Sequence, residues 1–135
     1  MARILVIEDS RVQQVLIAQY LTKGKHTAEI AGDGPAGLEL LRTAEFDVVI
    51  TDIILPNMDG IELIHEIRTT CEKSVGIIAI SGGGARSVQT HLETAKIAGA
   101  NAALSKPFTQ QELLQAVTKI LQQSAPADSP PPKPS

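Results

Sequence analysis

With 135 residues the chain is sized for one domain with a real core, and 43% hydrophobic residues against 2% aromatics (Tyr20, Phe46, Phe108) require that core to be built from Ile, Leu, Val and Ala. Three aromatics make no base-stacking platform and a net charge of −3 without a Lys/Arg cluster makes no basic stripe, so direct nucleic-acid binding is disfavoured. The lone Cys71 cannot close an internal disulfide, the amino terminus enters a strand without a charged and apolar leader, and no apolar run approaches the roughly 20 residues that span a bilayer, which together predict a soluble cytoplasmic protein without membrane insertion.

The first apolar run, Ile4 to Ile7, has the unbroken aliphatic character of a parallel strand buried on both faces, and it ends on two acids, Glu8 and Asp9. Val12, Val15, Leu16 and Tyr20 follow at helical spacing, with Gly24 as the expected C-cap. Thr27 to Ala31 reads as a second strand, Gly32-Asp33-Gly34 as a turn, and Gly37, Leu40, Leu41 and Ala44 as one face of a second helix. The third run, Val48 to Thr51, leads straight into Asp52. Asp59 and Glu62 then match capping-box spacing ahead of Ile61, Ile64 and Ile67. Val75 to Ile80 is the fourth strand, followed by Ser81 and the glycines Gly82, Gly83 and Gly84. Val88, Leu92 and Ala95 have helical spacing. A weaker run, Ala102 to Ser105, precedes Lys106-Pro107-Phe108, and Thr109 with Glu112 forms a second capping-box pattern before Leu113, Val117 and Ile120.

Five alternations of strand and helix predict a three-layer (βα)5 domain of the α/β class, a doubly wound parallel sheet covered on both faces, over residues 1–123. Ser124 to Ser135 holds five of the eight prolines and almost no apolar side chains, which predicts a disordered tail or linker. Open α/β sheets bind ligands beyond the carboxyl ends of their strands. Glu8, Asp9 and Asp52 would therefore share one site if the first and third strands are neighbours. His26, His65 and His91 show no spacing of a metal triad and are assigned packing or surface roles.

Ile7-Glu8-Asp9, then Asp52 followed by Pro56-Asn57-Met58-Asp59-Gly60, then Ser81, then Lys106-Pro107-Phe108, all at strand ends, together resemble the receiver domain of two-component response regulators, including the chemotaxis-type single-domain regulators. The resemblance covers residues 1–123 and implies a flavodoxin-like fold with strand order 2-1-3-4-5. It implies that Asp52 is the phosphoacceptor, assisted by Lys106 and by the switch hydroxyl of Ser81. It also implies that Glu8, Asp9, Asp52 and the main-chain carbonyl of Ile54 hold Mg2+, and that the Lys106-Pro107 bond is cis. The implied partners are a histidine kinase or phosphotransfer protein as donor and a downstream protein as target, with the chain a monomer or weak homodimer. Beyond its own phosphorylation and dephosphorylation, no turnover of an external substrate is implied.

Two positions depart from that pattern. The aromatic residue usual three positions before the lysine is Ala103, whose methyl group cannot swing between rotamers, so switching is expected through the backbone of Ser81-Gly82-Gly83-Gly84. The positions two beyond Asp52 and Ser81 are Ile54 and Gly83, neither able to orient a hydrolytic water, so slow self-dephosphorylation is expected. The alternatives are a phosphatase of the haloacid dehalogenase type, a non-phosphorylated binding module of the same fold, and a receiver cut from a larger kinase or regulator. The phosphatase needs a second Asp where this chain has Ile54.

Overall fold

In the computed structural model, which describes residues 2–53, 55, 57–70, 75–82, 96 and 98–123, the elements are β1 (Arg3–Ile7), α1 (Arg11–Lys23), β2 (Thr27–Ala31), α2 (Gly34–Thr43), β3 (Val48–Asp52), α3 (Gly60–Thr70), β4 (Gly76–Ser81), β5 (Ala102–Ser105) and α4 (Gln110–Gln123). The strands form one parallel sheet in the order β2-β1-β3-β4-β5, the flavodoxin-like order. The helical segment expected around Val88, Leu92 and Ala95 lies outside the described residues, as do Ile54, Gly83, Gly84, Cys71, His91 and the Pro-rich stretch 124–135.

Strand side chains alternate between two faces, and each face has its own aliphatic layer. Ile4, Val6, Val48, Ile50, Ile78 and Ile80 pack with Ile17 and Leu21 of α1 and with Leu113, Val117 and Ile120 of α4. Leu5, Ile7, Val49, Ile77 and Ala79 pack on the other side with Leu63, Ile64 and Ile67 of α3, and Leu38, Leu40 and Leu41 of α2 lie against that layer. Every residue of β3 and β4 is buried, which is why those strands read as continuous apolar runs. Each fully buried Ile, Leu or Val contributes about 1.5–3 kcal/mol, so the central strands and the four described helices are held together chiefly by aliphatic side chains, with Phe108 the buried aromatic of the first layer. None of the described helices is long and apolar enough to cross a membrane.

Helix ends follow the capping residues closely. Thr109 and Glu112 exchange bonds in both directions, 3.0 Å from the Glu112 N–H to Thr109 Oγ1 and 2.8 Å from the Thr109 N–H to Glu112 Oε1, as their spacing predicts. Asp59 stands directly before α3 as its spacing predicts, and its side chain accepts from the Ile61 N–H at 2.8 Å. Gly24 ends α1, but the left-handed residue is Lys25 (φ 67°). What Gly24 provides is proximity: a Cβ there would lie 2.6 Å from Leu114 Cδ2 of α4.

Candidate functional site

β1 and β3 are neighbours in register Ile7 to Thr51, so the residues one step further along, Glu8 and Asp52, emerge side by side at the carboxyl edge of the sheet. The strand order reverses direction here, with β2 on one side of β1 and β3 on the other, which opens the crevice where α/β folds place ligands. Glu8 is 2% exposed and Asp52 7% exposed, while Asp9 faces solvent. One carboxylate oxygen from each of Glu8, Asp9 and Asp52 lies within 4.8 Å of the others.

Lys106 enters this cluster from the end of β5. Its N–H donates to the Ser81 carbonyl at 2.8 Å, tying it to the end of β4. The Lys106-Pro107 bond is cis, and Phe108 inserts into the core edge-on to Tyr20 with ring centroids 6.3 Å apart. The ammonium donates to Asp52 Oδ2 at 2.7 Å and to Glu8 Oε1 at 3.3 Å. The lysine stem runs over Gly82, where a Cβ would lie 3.2 Å from Lys106 Cδ.

Burial pushes the Glu8 carboxyl above its usual range, and the Asp52 charge adds to that; the Ser10 N–H, bonded to Glu8 Oε2 at 3.0 Å, and Lys106 pull the other way without prevailing. For Lys106, burial alone would favour the neutral amine. The hydrogen bond and charge of Asp52, then those of Glu8, outweigh it and raise the pKa, so the ammonium persists. Among the described residues, Ser81 Oγ at the end of β4 is a buried side-chain oxygen without a hydrogen-bond partner, a hydroxyl with its donor unspent.

The structure thus brings together Glu8, Asp9, Asp52 and Lys106, with Ser81, Gly82 and Pro107 on the strand ends around them. Ala103 lies within β5 opposite Ala79, a small residue beside a small residue. Sequence reasoning missed the supports. Gln14 donates its side-chain amide to the Glu8 carbonyl at 2.7 Å, and Ser10 both caps α1 and bonds Glu8. Ser10 with Gln13 has capping-box spacing, a signal that could have flagged the first turn; nothing in the pattern distinguishes Gln14 from any other polar residue on α1.

The family described as the response regulator receiver domain matches residues 4–118, most of the chain. The chain belongs to that family. This receiver is 30% identical over 128 residues to the response regulator MprA of Mycobacterium sp. (strain KMS), covering 95% of this chain and 54% of MprA. It therefore spans about half the length of the curated relatives it matches. Among solved structures, the chemotaxis response regulator CheY4 of Vibrio cholerae is 28% identical with a TM-score of 0.78, over 90% of this receiver and 99% of that chain. A response regulator receiver domain protein from Clostridium thermocellum is 27% identical with a TM-score of 0.82, over 91% and 96% of the two chains. Receiver membership sets aside the phosphatase of the haloacid dehalogenase type.

Proposed function

We propose that this receiver is a phosphorylation-dependent signalling switch in which Asp52 accepts a phosphoryl group from a histidine kinase or phosphotransfer protein and the resulting shift controls a downstream protein. The observation that carries this reading is the charge gathered at the strand ends: Lys106 stands 2.7 Å from Asp52, inside a group of three carboxylates whose oxygens lie within 4.8 Å of one another. Buried charge is a poor means of stabilising a fold, because desolvation offsets most of the mutual attraction. It is a good means of preparing a carboxylate to meet an anion.

The donor set fits a small hard cation. Mg2+ takes oxygen ligands, is typically held by one or two carboxylates, and keeps places for water and phosphate oxygens. Asp9 and Asp52 would hold it directly, Glu8 through a water, and Ile54 by its main-chain carbonyl. When bound, the ion supplies the positive charge that offsets repulsion between a carboxylate and an anionic phosphoryl donor.

The chain's own groups account for the remaining steps. An Asp52 carboxylate oxygen attacks phosphorus as the bond to the donor atom breaks. Lys106 then passes from that carboxylate to a phosphoryl oxygen, a movement its flexible stem and point charge permit. The Ser81 hydroxyl, buried at the end of β4, donates to another phosphoryl oxygen. With Ala103 in β5, the movement of Ser81 is transmitted by the backbone beginning at Gly82.

Incubation with acetyl phosphate and Mg2+ followed by intact mass measurement tests the reading. The expected result is one phosphoryl adduct, absent from Asp52→Asn and absent without Mg2+. A wild-type protein that stays unmodified overturns it.

A further inference from the structure

Ile53, the residue after Asp52, is tied to Gly60, the first residue of α3. The Gly60 N–H donates to the Ile53 carbonyl at 2.7 Å. Asn57, between them, has a left-handed backbone (φ 70°), a conformation that Asn tolerates better than most residues, and its side-chain amide donates to Asp33 Oδ2 at 2.9 Å. The other Asp33 oxygen, Oδ1, accepts from the Ala36 N–H at 2.8 Å and so caps α2. One carboxylate therefore serves two elements that are 24 residues apart in sequence. Next to it Met58 lies directly on Gly34, the first residue of α2, where a Cβ would sit 3.1 Å from both Met58 Cβ and Met58 Sδ.

Met58 packs against the second aliphatic layer, whereas the Asp33–Asn57 bond belongs neither to the sheet nor to either layer. Asp33 and Asn57 make an exposed hydrogen bond, and the φ of Asn57 is adopted with its amide meeting that carboxylate. The contact joins the first turn of α2 to the backbone that follows the acceptor carboxylate. We infer that Asp33 and Asn57 form a latch that uses the capped end of α2 to hold the segment after Asp52 in place at the acid pocket, making both positioning residues for metal binding and phosphoryl acceptance. The inference rests on the function proposed above and adds the element that steadies the site. In this arrangement α2 shapes the acid pocket without contributing a ligand.

Asn57→Gly tests the latch cleanly, because glycine adopts the same left-handed backbone without strain, leaves net charge unchanged and removes only the amide. The reciprocal exchange Asp33→Asn with Asn57→Asp rebuilds the bond with donor and acceptor reversed, and both new residues suit their positions, Asn as an N-cap and Asp at positive φ. Mg2+ affinity is measured by titration calorimetry on the full chain, alongside the thermal midpoint in EDTA. The latch predicts that Asn57→Gly weakens Mg2+ binding about tenfold while the midpoint in EDTA changes little, and that the exchange returns the affinity to within about twofold of wild type. Equal affinity in Asn57→Gly and wild type overturns the inference, as does an exchange variant as weak as Asn57→Gly. If the wild type itself shows no saturable Mg2+ binding, it is the proposed function that fails, a result separable from the other two.

Discussion

At Glu8, burial and the charge of Asp52 favour the protonated carboxyl, whereas the Ser10 N–H and Lys106 favour the ionised one, and the balance raises the pKa. A group whose folded pKa stands above its unfolded value contributes its full stability below the unfolded value, here 4.5, and loses it as pH rises through the folded one. At neutral pH Glu8 is thus a cost to the fold. Glu8→Gln keeps an acceptor for the Ser10 N–H and removes that cost, so in Mg2+-free buffer at pH 7 its urea midpoint exceeds that of the wild type. The difference closes as pH falls below about 4.5. Urea titrations at the two pH values check the sign, and a variant less stable than wild type at pH 7 would contradict it. Glu8, Asp9 and Asp52 were legible because they stand at the ends of aliphatic runs, and Lys106, which follows a faint run, was legible through its Lys-Pro-Phe motif. Asn57 was legible only as part of a motif, and Asp33 only as a turn residue, because the bond between them depends on how two loops meet.

Among the elements, β3 and α3 show how closely the strand that carries Asp52 is packed. Gly60 begins α3 where a Cβ would lie 2.4 Å from the Asp52 carbonyl oxygen and 2.5 Å from Ile53 Cα, both backbone atoms that cannot rotate away. Gly60→Ala is expected to destabilise the protein by about 3 kcal/mol, at the upper end of the cost of overpacking. Gly32→Ala is the control, since nothing lies within 4 Å of a Cβ at that position. Chemical denaturation of both variants reads the contrast, which disappears if α3 can simply move outward. The strands themselves were recognisable from composition because burial on both faces demands continuous apolar runs. β5 was the faint one: Ala102, Ala103 and Ser105 carry little apolar signal, and the strand is half-buried at the edge of the sheet, paired through β4 alone. Its place in the alternation, ahead of a capping box that the structure contains, identified it.

For the whole molecule, a cation held by the folded acid pocket and absent from the unfolded chain stabilises the fold by mass action. At Mg2+ about ten times its dissociation constant this amounts to roughly 1.4 kcal/mol, so thermal unfolding should move upward by several degrees and return on addition of EDTA. Asp9→Asn should abolish the shift. Scanning calorimetry on the two proteins measures it, and a Mg2+-dependent rise that survives in Asp9→Asn would place the ion elsewhere. The sequence by itself determined that strands and helices alternate, that the sheet is parallel and aliphatic, and which charged residues stand at strand ends, because burial, periodicity and capping act over a few neighbouring residues. Only the tertiary structure decided that Lys106 reaches Asp52 across 54 positions of chain and that β1 lies beside β3. Such contacts follow from the order in which strands pair and the way two loops pack, and hydrophobic periodicity is the same whichever strands are neighbours.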